Sequence, residues 1–188
     1  MKNIILIGMK ACGKSTVGKI LAQKLGIDFV ELDIEIEKAH LLSKKESLNF
    51  REIFKKHGSV YFRQLESKVL KDIFKEKKIK EFVLSCGGGT PLNENNQETI
   101  KSLGEVIFLD ADKKVLLPRI IKHGIPAFFP FQNDPEKSLD ELLEKRKPIY
   151  EKVADKTISF TKETPQQLME RIINFFSRHS REDGNPDD

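Results

Sequence analysis

A chain of 188 residues with 38% hydrophobic and 33% charged residues fits one soluble domain with a real core, and no apolar run approaches a membrane span. The net charge of +4 comes from intermixed lysines and glutamates, which describes solvated helix surface rather than a nucleic-acid-binding face. Cys12 and Cys86 form no disulfide framework, so a reducing cytoplasm is expected, and the first strand begins too early to leave room for a signal peptide.

Residues 4–7 are an unbroken apolar run, the pattern of a strand buried on both faces. The run ends at Gly8, and Gly8 to Ser15 fits G-x-x-x-x-G-K-[ST] at every fixed position. Val17, Ile20, Leu21 and Leu25 follow at helical spacing, so the motif joins a strand to a helix. That context makes it a phosphate-binding loop. Backbone N–H groups from Gly8 through Ala11, Cys12 and Gly13 to Thr16 would cradle phosphate oxygens at a helix N-terminus. Lys14 would reach the β- and γ-phosphates, and the Ser15 hydroxyl would ligate Mg²⁺. A nucleoside triphosphate and Mg²⁺ are therefore the expected co-substrate and metal.

Residues 27–32 read as a second strand with Asp33 at its carboxyl end, followed by a weakly amphipathic helix. Residues 40–49, rich in lysine and serine, read as a surface loop. A short helix begins at Phe50 and ends near Gly58, and a long one carries Tyr61, Leu65, Val69, Ile73 and Phe74 on an apolar stripe. Residues 82–85 are the third strand, running into Cys86-Gly87-Gly88-Gly89-Thr90-Pro91, and a helix through Gln97 and Ile100 follows. Residues 106–109 are the fourth strand. Residues 112–122 read as a helix that Pro118 should bend or interrupt. Residues 124–135 have no period and hold Phe128, Phe129 and Phe131. Helix returns over 136–152, residues 158–160 are the fifth strand, and a last helix ends near Phe176. From Ser177 the chain has no apolar residue and reads as a disordered tail.

Five strands alternating with helices imply an α/β sheet, mostly or wholly parallel, with ligands outside the carboxyl ends of its strands. Gly8, Asp33 and Gly87 all fall at such ends. Singly, these residues have plainer readings. Asp33 could cap the next helix, and Arg63 could pair with Glu66 or Glu52 on a surface.

Phe62-Arg63-x-x-Glu66, the triple glycine Gly87-Gly88-Gly89 and Lys145-Arg146-Lys147-Pro148-Ile149-Tyr150, in this order after the phosphate loop and Asp33, resemble the shikimate kinases. Order and spacing agree over roughly residues 3–176. The resemblance implies a three-layer P-loop kinase fold, with helices on both faces of a five-stranded parallel sheet of order 2-3-1-4-5. It implies one domain over about residues 1–176, with a substrate-binding region near 33–62 and a lid near 123–135. It also implies transfer of the ATP γ-phosphate to the 3-hydroxyl of shikimate, by a cytoplasmic monomer with no nucleic-acid or membrane partner. By the same resemblance Asp33 binds the substrate hydroxyls and, with Lys14, is catalytic. Arg63 and Arg146 hold the substrate carboxylate, with Gly87, Gly88 and Gly89 against the substrate. Arg119 and Thr161 lie by the nucleotide, and Glu31 and Ser85 reach the metal through water.

Four positions depart from the family pattern. Glu31 stands where aspartate is usual, Lys10-Ala11-Cys12 replaces a small glycine-containing run, and residues 40–47 are a short insertion. The lid, which usually carries an arginine before a proline, has Ile125-Pro126 and no cation from Gly124 to Pro135. Arg119, Lys122 and Lys10, in that order, are the candidate substitutes. A related kinase for gluconate or a nucleoside monophosphate, or a catalytically weak ATP-binding homologue, remains an alternative on the same scaffold.

Overall fold

The computed structural model describes residues 3–76 and 81–182. Its sheet comprises β1 (Asn3–Ile7), β2 (Asp28–Glu31), β3 (Phe82–Ser85), β4 (Gly104–Ala111) and β5 (Lys156–Phe160). All neighbours run parallel in the order β2-β3-β1-β4-β5, as the resemblance implies. The helices are α1 (Lys14–Leu25), α2 (Leu32–Lys44), α3 (Phe50–Glu76), α4 (Glu94–Leu103), α5 (Lys113–Lys122), α6 (Pro135–Val153) and α7 (Pro165–Glu182), with a 3₁₀ turn over Thr90–Leu92. Among the described residues no helix is long and apolar enough to cross a membrane.

Ile4 to Ile7 and Phe82 to Leu84 are fully buried, which requires cover on both faces of the sheet. One helix group packs α1 on α7, and another packs α3 on α2 and α4. Each of these buried side chains contributes roughly 1.5–3 kcal/mol relative to exposure, so the central strands anchor the fold. The amino end of the sheet is pinned by Asn3. Its Oδ1 accepts from the Phe82 N–H at 3.1 Å and its Nδ2 donates to the Leu103 carbonyl at 2.8 Å.

Three expectations need correction. Residues 40–44 belong to α2 rather than to a surface loop, and His40 is fully buried. The lysine- and serine-rich composition described only the outer face of that turn. Pro118 does not interrupt α5. It lies on the exposed face, as does Lys114, whose carbonyl loses its helical partner and can bond water instead. The last helix continues past Phe176 to Glu182, because arginine, serine and glutamate are tolerated on a solvated helix and no glycine or proline intervenes before Gly184. Residues 183–188 of the expected tail lie outside the described residues. The predicted break near Gly58 holds: φ 81° and ψ 171° there separate a short and a long helical segment within α3.

Gly104 opens β4 directly against β1, and a methyl group there would collide with the Asn3 carbonyl. Gly104→Ala is expected to destabilise by about 1–3 kcal/mol, seen as a lower thermal midpoint with the Michaelis constant for ATP unchanged. A midpoint equal to wild type would show that this end of the sheet is not close-packed.

Candidate active site

The carboxyl ends of β1, β2 and β3 gather most of the polar residues singled out above. After β1, Gly8 (φ 141°), Ala11 (φ 67°) and Gly13 (φ 102°) take positive φ and curl the loop into a concave turn. At Gly8 a side chain is barred twice, by its φ and by the Leu109 carbonyl, 2.6 Å from where a Cβ would stand. The Lys14 ammonium folds back over this turn, donating to the Gly8 and Met9 carbonyls at 3.0 Å each. Ser15 and Thr16 occupy the first turn of α1. Arg119 reaches across from α5 and donates to the Ala11 carbonyl at 3.2 Å, beside Gly13. Thr161 stands at the carboxyl end of β5, at the other end of the same edge from β2. Cys12 and Cys86 are both buried, and burial pushes the Cys86 thiol up, so both are packing residues.

Asp33 lies in the first turn of α2, two residues after the N-cap Glu31, so it is not itself the cap. Its carboxylate borders Gly87, where a Cβ would stand 3.3 Å from both Asp33 Oδ1 and Glu66 Oε1. Burial, then the Glu31 charge, pushes the Asp33 carboxyl up to about 6 against the pull of Lys14, with Glu66 and Glu37 adding to the rise. Glu31 is paired in register with Ser85 across β2 and β3, and Ser85 Oγ donates to Glu31 Oε1 at 2.7 Å. The extra methylene of glutamate is thus taken up in reaching Ser85. This hydroxyl and carboxylate, like the Ser15 hydroxyl in the first turn of α1, are oxygen donors of the kind that Mg²⁺ takes.

The segment after β3 lies against Arg63 directly and is joined to the neighbourhood of Arg146 through Tyr150. Arg63 does pair with Glu66, at 2.7 Å, yet Glu66 is 1% exposed, so this is no surface ion pair. The second Glu66 oxygen accepts from the Thr90 hydroxyl at 2.7 Å. The Arg63 guanidinium lies against Gly89, where a Cβ would stand 2.7 Å from Cζ. Gly88 packs on the phosphate loop itself, its would-be Cβ 3.2 Å from the Lys10 nitrogen, and its carbonyl accepts from the Tyr150 hydroxyl. Burial pushes that hydroxyl up to about 12, opposed first by the Arg146 charge and more weakly by Arg63, so it stays a donor. Arg146 sits one turn before Tyr150 on α6, nearly buried, with its guanidinium 5.0 Å from the Phe128 ring centre. Arg63, Arg146 and Gly88 therefore converge around Tyr150.

The loop expected to be a lid is tied down by its own hydrogen bonds. Gln132 donates to the Pro126 and Phe129 carbonyls, Ser138 clasps both backbone groups of Phe131, and Phe129 is buried in the core. Of the candidate substitutes for its missing cation, Lys122 is exposed at the end of α5, whereas Lys10 is half-buried and feels both Arg51 and Asp33. Burial, then Arg51, pulls the Lys10 ammonium below its usual value. Lys10 thus lies within the electrostatic reach of Asp33, and Arg119 lies on the phosphate loop. Glu66, Thr90 and Tyr150 had no assigned role from sequence; only their spacing from Arg63, Gly89 and Arg146 pointed to them.

A family model described as shikimate kinase matches residues 10–177. The chain belongs to the shikimate kinase family. The family's curated members include shikimate kinases of Thermodesulfovibrio yellowstonii, 38% identical over 96% of this chain and 98% of its own, and of Sulfurihydrogenibium sp., 37% identical over 95% and 99%. Among solved shikimate kinases, that of Acinetobacter baumannii in complex with shikimate superposes with a TM-score of 0.84 at 32% identity, covering 95% of this chain and 94% of that one. The Aquifex aeolicus shikimate kinase superposes with a TM-score of 0.73 at 31% identity, covering 95% and 98%. The chain is accordingly an ATP-dependent kinase of the shikimate kinase family, on that family's fold.

The raised Asp33 carboxyl links the site to stability. A carboxyl whose folded pKa lies above its unfolded one helps the fold fully below about 3.8, and loses that help as pH rises through about 6. Asp33→Asn is therefore expected to stabilise the ligand-free protein by on the order of 1–3 kcal/mol near pH 8, narrowing towards zero near pH 4, while turnover falls about 10²–10⁴-fold. Denaturant titrations at the two pH values check this. An equal gap at both would show that Asp33 does not titrate in this range.

Proposed function

We propose that the chain transfers the ATP γ-phosphate to the 3-hydroxyl of shikimate, on the way to aromatic amino acids, as a cytoplasmic monomer that uses Mg²⁺ and no nucleic-acid partner. The observation that carries the substrate is the gathering of Arg63, Arg146 and Gly88 around Tyr150, with Gly88 packed against the phosphate loop. A small trihydroxy acid offers one carboxylate and little apolar area, so charge-assisted bonds must orient it, and guanidinium forks suit a carboxylate. Glu66 positions Arg63 and Tyr150 positions the Gly88 carbonyl. One domain over residues 1–176 serves this reaction, with acceptor contacts from 33–62 and a lid at 123–135.

In this reading the backbone from Gly8 to Thr16 and the Lys14 ammonium hold the phosphates, with Lys14 exchanging the Gly8 and Met9 carbonyls for phosphate oxygens. Arg119 and Thr161 flank the nucleotide. Ser15 would hold Mg²⁺ directly, and Glu31 and Ser85 would hold it through water; when bound, the ion offsets charge on the phosphates. Asp33, ionised above about 6, accepts the proton of the attacking hydroxyl. Lys10 supplies the cation that the lid lacks. Phosphoryl transfer then rests on positioning and electrostatics.

Steady-state ADP release with Mg-ATP should be stimulated by shikimate and not by gluconate or nucleoside monophosphates. Arg63→Ala should raise the Michaelis constant for shikimate about tenfold or more, the loss of a charge-assisted pair, and leave that for ATP near wild type. Stimulation by another acceptor alone, or an unchanged Michaelis constant for shikimate in Arg63→Ala, would overturn the assignment.

A further inference from the structure

Away from the kinase site, α2, the loop after it and the first segment of α3 bring three ligand-type side chains together. His40 on α2 is 0% exposed, its Nδ1 lies 2.9 Å from the Tyr61 hydroxyl, and its Nε2 has no hydrogen-bond partner. Glu46 Oε2 stands 3.5 Å from that Nε2 and 3.0 Å from His57 Nε2. All three ligand atoms lie within 4.8 Å of one another, the one such group of histidine, cysteine and carboxylate among the described residues. Lys45 (φ 60°) ends α2 in a left-handed turn just before Glu46, and His57 is the last residue before the break at Gly58.

We infer that His40, Glu46 and His57 form a binding site for a divalent transition metal of the zinc type. Two atoms each about 2.0–2.2 Å from a tetrahedral Zn²⁺ stand roughly 3.3–3.5 Å apart, and the two distances from Glu46 bracket that spacing. An imidazole that ligates through Nε2 donates its Nδ1–H to an outer partner, which is the role of the Tyr61 oxygen. Imidazole nitrogens select zinc-like ions over Mg²⁺, so the site does not compete for the metal of the phosphate-transfer reaction. Lys56 also touches Glu46 Oε2, at 3.1 Å, but this side chain is 55% exposed and can swing into solvent as the ion enters. Three protein ligands leave the fourth position to water.

The ligands come from residues 40–57, and His40 and Glu46 fall within the stretch where the sequence departs from the family pattern, so the shared kinase machinery does not account for them. A bound ion would clasp α2 to the first segment of α3, immediately before the Gly58 break from which the Arg63-bearing helix departs. It would stiffen the acceptor-side segment without touching the reacting groups.

The test uses untagged full-length protein, stripped with chelator and titrated with Co²⁺ and then Zn²⁺ in the absence of nucleotide. One Co²⁺ per chain is expected, with the visible absorption bands of a four-coordinate ion, displaced by Zn²⁺. Glu46→Gln and His57→Gln, both at partly exposed positions, should each weaken Zn²⁺ uptake about tenfold or more. Their metal-free melting temperatures should stay near wild type, and micromolar Zn²⁺ should raise the melting temperature of wild type alone. No saturable uptake, or uptake that both variants retain unchanged, would overturn the site, whatever the acceptor of the kinase reaction proves to be.

Discussion

The contact on which the site depends is that between the loop after β1 and the loop after β3. The Cys86 N–H donates to the Leu6 carbonyl at 3.0 Å, and two residues later Gly88 lies against Lys10 and Gly8, where a Cβ would meet Lys10 N at 3.2 Å and Gly8 O at 3.4 Å. One loop is built to hold phosphates, and the other leads to the arginines. In the proposed reaction their direct contact would set the gap between phosphate donor and acceptor, to which in-line phosphoryl transfer is sensitive. Tyr150 fixes the far side of Gly88, so the segment is held from two directions.

The same segment explains how a buried carboxylate is kept. Glu66 would cost several kcal/mol if left unpaired in this interior. Arg63 satisfies one oxygen and the Thr90 hydroxyl the other, while Gly87 and Gly89 leave room for Asp33 and the guanidinium. The triple glycine is thus closely packed at three separate places: beside a carboxylate, beneath the phosphate loop, and, most tightly, beneath a guanidinium. Removing any one partner would strand the others, which ties the arginine proposed to bind the substrate carboxylate to the stability of the core.

Much of this was legible where the signal was local. The strand at 4–7, the phosphate loop, Asp33 at a strand end and the triple glycine are runs of a few residues whose chemistry follows from spacing. The strand order followed from resemblance. What escaped depends on contacts distant in sequence. His40 sits in a polar-looking stretch, and its burial comes with packing against His57 and Tyr61, both distant in sequence. The pairing of buried Glu66 depends on Thr90, 24 residues on, and Lys10 is half-buried near the charges of Asp33 and Arg51, both distant in sequence. The extension of the last helix was missed for a different reason: lack of apolar residues removes a packing face but does not end a helix.

The most direct test of the account is to lengthen the gap at Gly88. Gly88→Ala should push the two loops apart by a few tenths of an ångström, lowering kcat by about tenfold or more, while equilibrium binding of a non-hydrolysable ATP analogue and of shikimate stays within a few-fold of wild type. An unchanged kcat in a variant that folds and binds both ligands would contradict the claim that contact between these loops sets the reaction geometry.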